Sequence, residues 1–177
     1  MSSYTSFAVA GSGAIGSYVV AALAANPSLA VTVLSRSADV KVPSGVVVKV
    51  VDYAIPSSIE SALSGIDVVI STLGGGGNDV QEALANAAKQ AGAKLFVPSE
   101  FGNPTVGLLT GPLASRELLA RHLKAIGLPS LRLWTGPFSD YVLVAPFGFD
   151  FANGSATWVG QGDTPVRRKC VARSFDR

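Results

Sequence analysis

Short β-branched runs alternate along this chain with Ala- and Leu-rich stretches of helical length. Thr5–Ala10, Leu29–Leu34, Val46–Val51, Asp67–Leu73, Lys94–Val97 and Ser130–Trp134 read as six strands. Helices are predicted over Ser17–Ala25, from Ser57 through Leu63, from Asn78 to about Ala91, and over Leu113–Ile126. Ser57-Ser-Ile-Glu60 has capping-box spacing, and Asn78 is placed to cap the third helix. Pro112 suits the first turn of the fourth, while Gly65, Gly92 and Gly127 stand where helices stop. The strands are almost continuously apolar, which implies a sheet buried on both faces and therefore parallel. Right-handed crossovers leave an α/β doubly wound sheet as the simplest topology.

Gly-, Ser- or Thr-rich junctions follow the strands at 11–16, 35–37, 72–77, 98–102 and 135–137. In a doubly wound sheet these share the carboxyl edge, where ligands bind. The first junction is the most informative. Gly11-Ser12-Gly13-Ala14-Ile15-Gly16 lies between a strand and a helix, the context that makes G-x-G-x-x-G a dinucleotide-binding hypothesis. The first glycine permits the tight turn, the second lets a pyrophosphate approach the backbone, and the third lets helix and strand pack closely. A glycine-rich turn without a ligand is the alternative.

The second strand narrows the choice of cofactor. NAD-binding chains place Asp or Glu about 20 residues beyond the glycine motif, on the ribose hydroxyls. Here the strand ends Leu34-Ser35-Arg36-Ser37, with no carboxylate before Asp39. Arg36 stands where a guanidinium can pair with a 2′-phosphate, and Ser35 and Ser37 can donate to it. NADP(H) is therefore expected over NAD(H); a solvated arginine at a strand end is the alternative.

Composition excludes more than it selects. The 177 residues are 48% hydrophobic and 15% charged, which fits one globular domain with a sizeable core. No apolar run reaches membrane-spanning length, and a membrane role is not expected. Met1–Ser6 has no basic region, so no secretory signal is expected and a cytoplasmic location is. The lone cysteine, Cys170, rules out an intrachain disulfide and a cysteine-rich metal site. The net charge of +2 hides an asymmetry: residues 167–177 carry +4, so the rest of the chain sums to −2. Nothing there suggests a nucleic-acid face. The basic tail reads as a solvated end, with a nucleic-acid or localisation patch as the alternative.

Val97-Pro98-Ser99-Glu100-Phe101-Gly102 adds a more specific signature. With the glycine turn, Leu34-Ser35-Arg36, Val51-Asp52 and Gly65–Ser71, it resembles the NmrA-like/isoflavone-reductase-like family of atypical short-chain dehydrogenases. Trp134-Thr-Gly-Pro-Phe-Ser-Asp-Tyr141 is similar to fungal members, and the resemblance covers about residues 5–165. It implies a Rossmann-like NADPH-binding domain over 1–135 and the start of a substrate lobe over 136–166. Active members reduce small aromatic or phenylpropanoid-type compounds; others bind NADP without turnover and regulate through protein partners. By position the resemblance assigns Gly11, Ser12, Gly13, Ala14, Ile15 and Gly16 to the pyrophosphate and Ser35 with Arg36 to the 2′-phosphate. Thr72, Leu73 and Gly74 fall to the adenine ribose and nicotinamide side, and Ser99, Glu100, Phe101 and Phe138 to the nicotinamide end.

Two departures follow. Active reductases carry a catalytic lysine early in the helix after P-S-E-F-G, where this chain has Arg116. An arginine stays protonated and does not readily act as acid or base. Lys124, the helix's only lysine, stands eight residues later, about two turns away. No Tyr-x-x-x-Lys pair replaces it. Second, family members run well beyond this chain's end, so the C-terminal lobe is expected to be incomplete. The change of composition at 167–177 then suggests a truncated or misread product, with a natural short form as the alternative. The sequence thus supports an NADPH-dependent oxidoreductase of a small organic or aromatic substrate, or a non-catalytic NADP(H) sensor acting through a protein partner. Val142–Phe147, lacking a covering lobe, is expected to favour a homodimer or poor solubility.

Other candidates read as structural. His122 lies mid-helix without a visible orienting partner. Glu100 more simply orients its loop than carries a proton. Asp140 and Tyr141 can face a substrate, while Trp134 and Trp158 read as core. Ser99 has no nucleophile-elbow glycines, and no metal-ligand spacing occurs.

Overall fold

The computed structural model describes residues 4–74, 78–138 and 148–157. Asp140, Tyr141, Val142–Phe147, Trp158 and the basic tail, all weighed above, lie outside the described residues, as do Gly75 to Gly77. The chain forms two compact units: Met1–Ser99 with Thr105–Arg132, and Glu100–Pro104 with Leu133–Arg177.

The first unit is built on five parallel strands: β1 (Ser6–Ala10), β2 (Ala30–Ser35), β3 (Val47–Val50), β4 (Val68–Ser71) and β5 (Leu95–Val97), in the order β3-β2-β1-β4-β5. Four helices accompany them: α1 (Gly16–Ala24), α2 (Pro56–Ala62), α3 (Asn78–Gln90) and α4 (Ala114–Ala125). Side-chain alternation sorts the core. Val9, Val31 and Val33 pack with Val20 of α1 on one face. Ala8, Ala10, Leu34, Val69 and Phe96 meet Ile59 of α2, Leu84 and Ala88 of α3, and Leu119 and Leu123 of α4 on the other. This is the Rossmann-like doubly wound arrangement expected from the continuous apolar runs.

Asp67 fastens the amino ends of the strands. Its carboxylate accepts from the backbone N–H of Thr5 (3.0 Å) and Ser6 (3.1 Å) and from Lys94 Nζ (2.7 Å). These bonds, led by the Lys94 contact, hold its pKa down at about 2.

Three expectations about elements are corrected. The capping box at Ser57–Glu60 does not form: Ile55 is extended, Pro56 enters at the first helical position, and no side chain caps α2. The Ser58 hydroxyl instead accepts from the Asp52 N–H at 3.1 Å. Pro112 lies in a turn ahead of α4 rather than in its first turn. The sixth strand is reduced to a parallel bridge between Ser130 and Phe96. Phe96 N–H donates to Pro129 O (2.9 Å), and Leu131 N–H donates to Phe96 O (3.0 Å). Beyond Leu131 the chain leaves the sheet edge, and Leu133 already belongs to the second unit.

In the second unit, β6 (Phe149–Asp150) pairs antiparallel with β7 (Ser155–Ala156). Gly154, at φ +62°, supplies the left-handed residue of the turn, and Asp150 accepts from Asn153 N–H and Nδ2.

Candidate functional site

The carboxyl edge of the sheet is built around the turn after β1. Its three glycines have three different physical reasons. Gly11 adopts φ +97°, which disfavours any residue with a Cβ. Gly16 is demanded by packing: a Cβ there would collide with the Gly11 carbonyl oxygen and Thr72 Oγ1. Gly13 has neither reason. Its φ is not positive, it is exposed, and among the described residues a Cβ would meet no atom within 4 Å. Nothing in the protein's own packing requires glycine there, whereas a ligand lying on the backbone would. The neighbouring helix end agrees. No side chain caps α1, and its first turn holds no acidic residue. An uncapped helix start of this kind suits an anion. Ala14 and Ile15 complete this turn, Ile15 as the cap residue, and Ser12 is half-buried beside Gly11. On these observations a dinucleotide pyrophosphate fits the turn.

Thr72, which follows β4, locks the turn to the sheet. Its N–H donates to Ala10 O (2.9 Å), and Oγ1 lies 3.0 Å from both Ala10 O and Gly11 O. One hydroxyl hydrogen is shared between those two carbonyls, so Thr72 acts through the turn's shape. Leu73 is half-buried and Gly74 exposed. Ser71, just before Thr72, is fully buried and its hydroxyl has no partner among the described residues.

At the end of β2, Ser35 Oγ accepts from the Ser37 N–H at 3.1 Å, which leaves its hydroxyl hydrogen for another acceptor. Arg36 is exposed and makes no hydrogen bond or ion pair among the described residues. Sequence reasoning passed over Tyr53. Its hydroxyl donates to Leu34 O at 3.2 Å, and the same carbonyl accepts from the Gly11 N–H at 3.1 Å. Burial pushes the Tyr53 phenol up to about 12, and the nearby Arg36 guanidinium partly opposes the shift. No local motif signals this link, because its three members come from the ends of three segments.

After β5, the Ser99 N–H donates to Oε1 of the buried Gln81 on α3 at 2.9 Å. Gln81 was also missed; only its place in the first turns of α3 hinted at it. Arg116, half-buried on α4, makes no side-chain hydrogen bond or ion pair among the described residues. Its neighbour Glu117 is buried and holds Arg132 Nη1 (3.0 Å) and Arg121 Nε (3.2 Å), while Arg132 Nη2 donates to Thr105 Oγ1 (2.8 Å). Burial raises the Glu117 pKa, but the two arginines outweigh it and hold the carboxyl below its ordinary value. His122 sits against Asn86 Oδ1 at 2.7 Å on the helix surface, a structural place.

In the second unit Glu100 is buried and accepts from Trp134 Nε1 at 2.9 Å. That contact suits orientation of the loop. Trp134 itself is 41% exposed, so its expected core role is corrected. Gly136 N–H donates to Gly102 O at 3.0 Å, and Phe101 and Phe138 are half-buried. Among the described residues no cluster of metal-binding side chains occurs, and no helix is long and apolar enough to cross a membrane.

Comparison with known proteins bears on this arrangement. A family model described as NAD(P)H-binding matches residues 10–174. "Oxidoreductase aprR" of Aspergillus flavus is 33% identical over 164 residues, covering 87% of this chain and 55% of that protein. "Isoflavone reductase homolog A622" of Nicotiana glauca is 31% identical over 158 residues, 76% of this chain and 49% of the relative. Among solved structures, "AtPrR2 with NADP+ and (+)pinoresinol" superposes with a TM-score of 0.68 at 25% identity, covering 80% of this chain and 53% of its own. The chain thus spans about half the length of these relatives. With a glycine turn open toward a ligand, the Rossmann-like strand order and these matches, the chain belongs to the NAD(P)H-binding family of isoflavone-reductase-like proteins.

Proposed function

We propose that this chain binds NADP(H) in preference to NAD(H), as the cofactor half of an NADPH-dependent oxidoreductase acting on a small organic or aromatic substrate. The observation that carries the reading is the pair formed by Gly13, whose open face no described residue fills, and Arg36, a guanidinium with no hydrogen bond or ion pair among the described residues. Gly11, Ser12, Gly13, Ala14, Ile15 and Gly16 hold the pyrophosphate through backbone N–H groups at the uncapped start of α1. Arg36 pairs with the 2′-phosphate and Ser35 donates to it. Thr72, Leu73 and Gly74 border the ribose side. Ser99, Glu100, Phe101 and Phe138 carry over from the family resemblance as nicotinamide-end residues. When bound, the nicotinamide supplies the hydride. The chain's own contribution is to bind and orient the cofactor.

Arg116 favours a second reading for this particular chain. A lysine in its place could lend and recover a proton; an arginine polarises or binds an anion but does not titrate. On that basis the chain is a non-catalytic NADP(H) sensor with a homodimeric or regulatory protein partner, in the cytoplasm. NADPH oxidation against a panel of aromatic carbonyl and phenylpropanoid compounds separates the two readings. Turnover supports the enzyme. Cofactor binding without turnover, with activity gained by Arg116→Lys, supports the sensor and the alignment of Arg116 with the missing lysine.

A further inference from the structure

The Leu34 carbonyl is a junction. It accepts from the Gly11 N–H at 3.1 Å and from the Tyr53 hydroxyl at 3.2 Å. A carbonyl oxygen has two lone pairs, and these two donors use both. Gly11 opens the glycine turn after β1, Tyr53 follows β3, and Leu34 immediately precedes Ser35 and Arg36. Three strand ends of the first unit therefore meet on one oxygen. Tyr53 is partly buried against the core formed by Leu34, Val51, Ile59 and Leu63, so its ring is fixed by packing and its hydroxyl by one acceptor. The phenol lies within electrostatic reach of the Arg36 guanidinium.

We propose that Tyr53 is a specificity-determining positioning residue, which holds the end of β2 in register with the glycine turn so that Arg36 meets a 2′-phosphate while the turn holds the pyrophosphate. The inference rests on the NADP(H) reading above and adds the residue that sets its geometry. An exposed arginine recognises a phosphate well only when its planar fork is presented at a fixed distance and angle from the rest of the ligand. Arg36 has no side-chain partner to orient it among the described residues. Its orientation comes from the backbone beneath it, and Tyr53 is the side chain that braces that backbone. A ligand lacking the 2′-phosphate does not use Arg36 and gains nothing from the brace.

The test compares Tyr53→Phe with the unaltered 177-residue chain, titrated with NADPH, NADH and 2′,5′-ADP. Loss of one orienting hydrogen bond predicts that NADPH and 2′,5′-ADP bind about three- to tenfold more weakly. NADH affinity should stay within about twofold, so the preference ratio falls. Equal weakening of NADPH and NADH, or no change in either, overturns the inference. Arg36→Met keeps the two proposals apart. If it leaves the NADPH preference intact, the NADP(H) reading fails and this inference with it. If it abolishes the preference while Tyr53→Phe does not alter it, this inference alone fails. Should Tyr53→Phe not fold, the unaltered protein labelled with [13Cζ]tyrosine carries the test. The Tyr53 resonance, assigned by elimination with Phe at Tyr4, Tyr18 and Tyr141, is expected to move with 2′,5′-ADP and stay with 5′-AMP. Identical responses to the two ligands overturn the inference.

Discussion

Gly13 and Gly16 stand three residues apart in one motif, yet they answer to different forces. Gly16 is fixed by the protein: added volume there strikes a backbone carbonyl that cannot yield cheaply. Gly16→Ala is therefore predicted to cost about 1–3 kcal/mol, read from urea unfolding. Gly13→Ala should leave stability unchanged or raise it by up to about 1 kcal/mol, since the position accepts a Cβ without strain. The same substitution should weaken NADPH binding at least about tenfold, because the methyl occupies the face on which a pyrophosphate would lie. A stable Gly13→Ala protein with normal affinity would remove the ligand explanation for that glycine. The motif and its place between strand and helix were legible in the sequence. The division of labour within it was not, because Thr72 follows a strand some sixty positions away.

At the scale of elements, charges placed at strand and helix ends decide how the parts are joined. Asp67 ties the amino ends of β1 and β4 to Lys94 just before β5. Its folded pKa of about 2 lies below the ordinary carboxylate value. The stability it contributes is thus fully present above about pH 4 and is lost as pH falls toward 2. Thermal midpoints between pH 5 and pH 2 should decline less steeply for Asp67→Asn than for the unaltered chain. Parallel slopes would show that Asp67 does not govern the acid limb. Of the two arginines paired with Glu117 of α4, Arg132 is more enclosed than Arg121, with side chains 17% and 56% exposed. Arg132→Met should therefore lower the urea midpoint clearly, because Glu117 loses its enclosed partner and Thr105 its donor. Arg121→Met, a largely solvated i,i+4 pair, should change it little. Five strands and four helices could be read from apolar runs and glycine stops, since each depends on neighbours along the chain. The sixth strand could not: Ser130–Trp134 has strand composition, but Leu131 is 47% exposed at the sheet edge and the chain departs there. The capping box likewise gave way to Pro56, which set the start of α2 earlier than Ser57.

For the whole molecule, the first unit carries the Rossmann-like sheet, and the chain spans about half the length of the relatives it matches. The carboxyl edge was the most legible part of the candidate site, because motif, strand ends and Arg36 all lie in local sequence. Tyr53 and Gln81 were not legible, since each acts through a backbone group distant in sequence. Apolar side chains also remain exposed in the first unit, with Val106 at 64%, Leu109 at 50% and Leu118 at 54%. Such surface favours self-association, so light scattering is expected to find dimers or larger species at micromolar concentration; a clean monomer would count against it. The most direct test of the central claim is a fluorescence titration of the 177-residue chain with NADPH and NADH side by side. An arginine–phosphate contact predicts NADPH binding at least about tenfold tighter. Equal affinity, tighter NADH binding or no binding of either would contradict it.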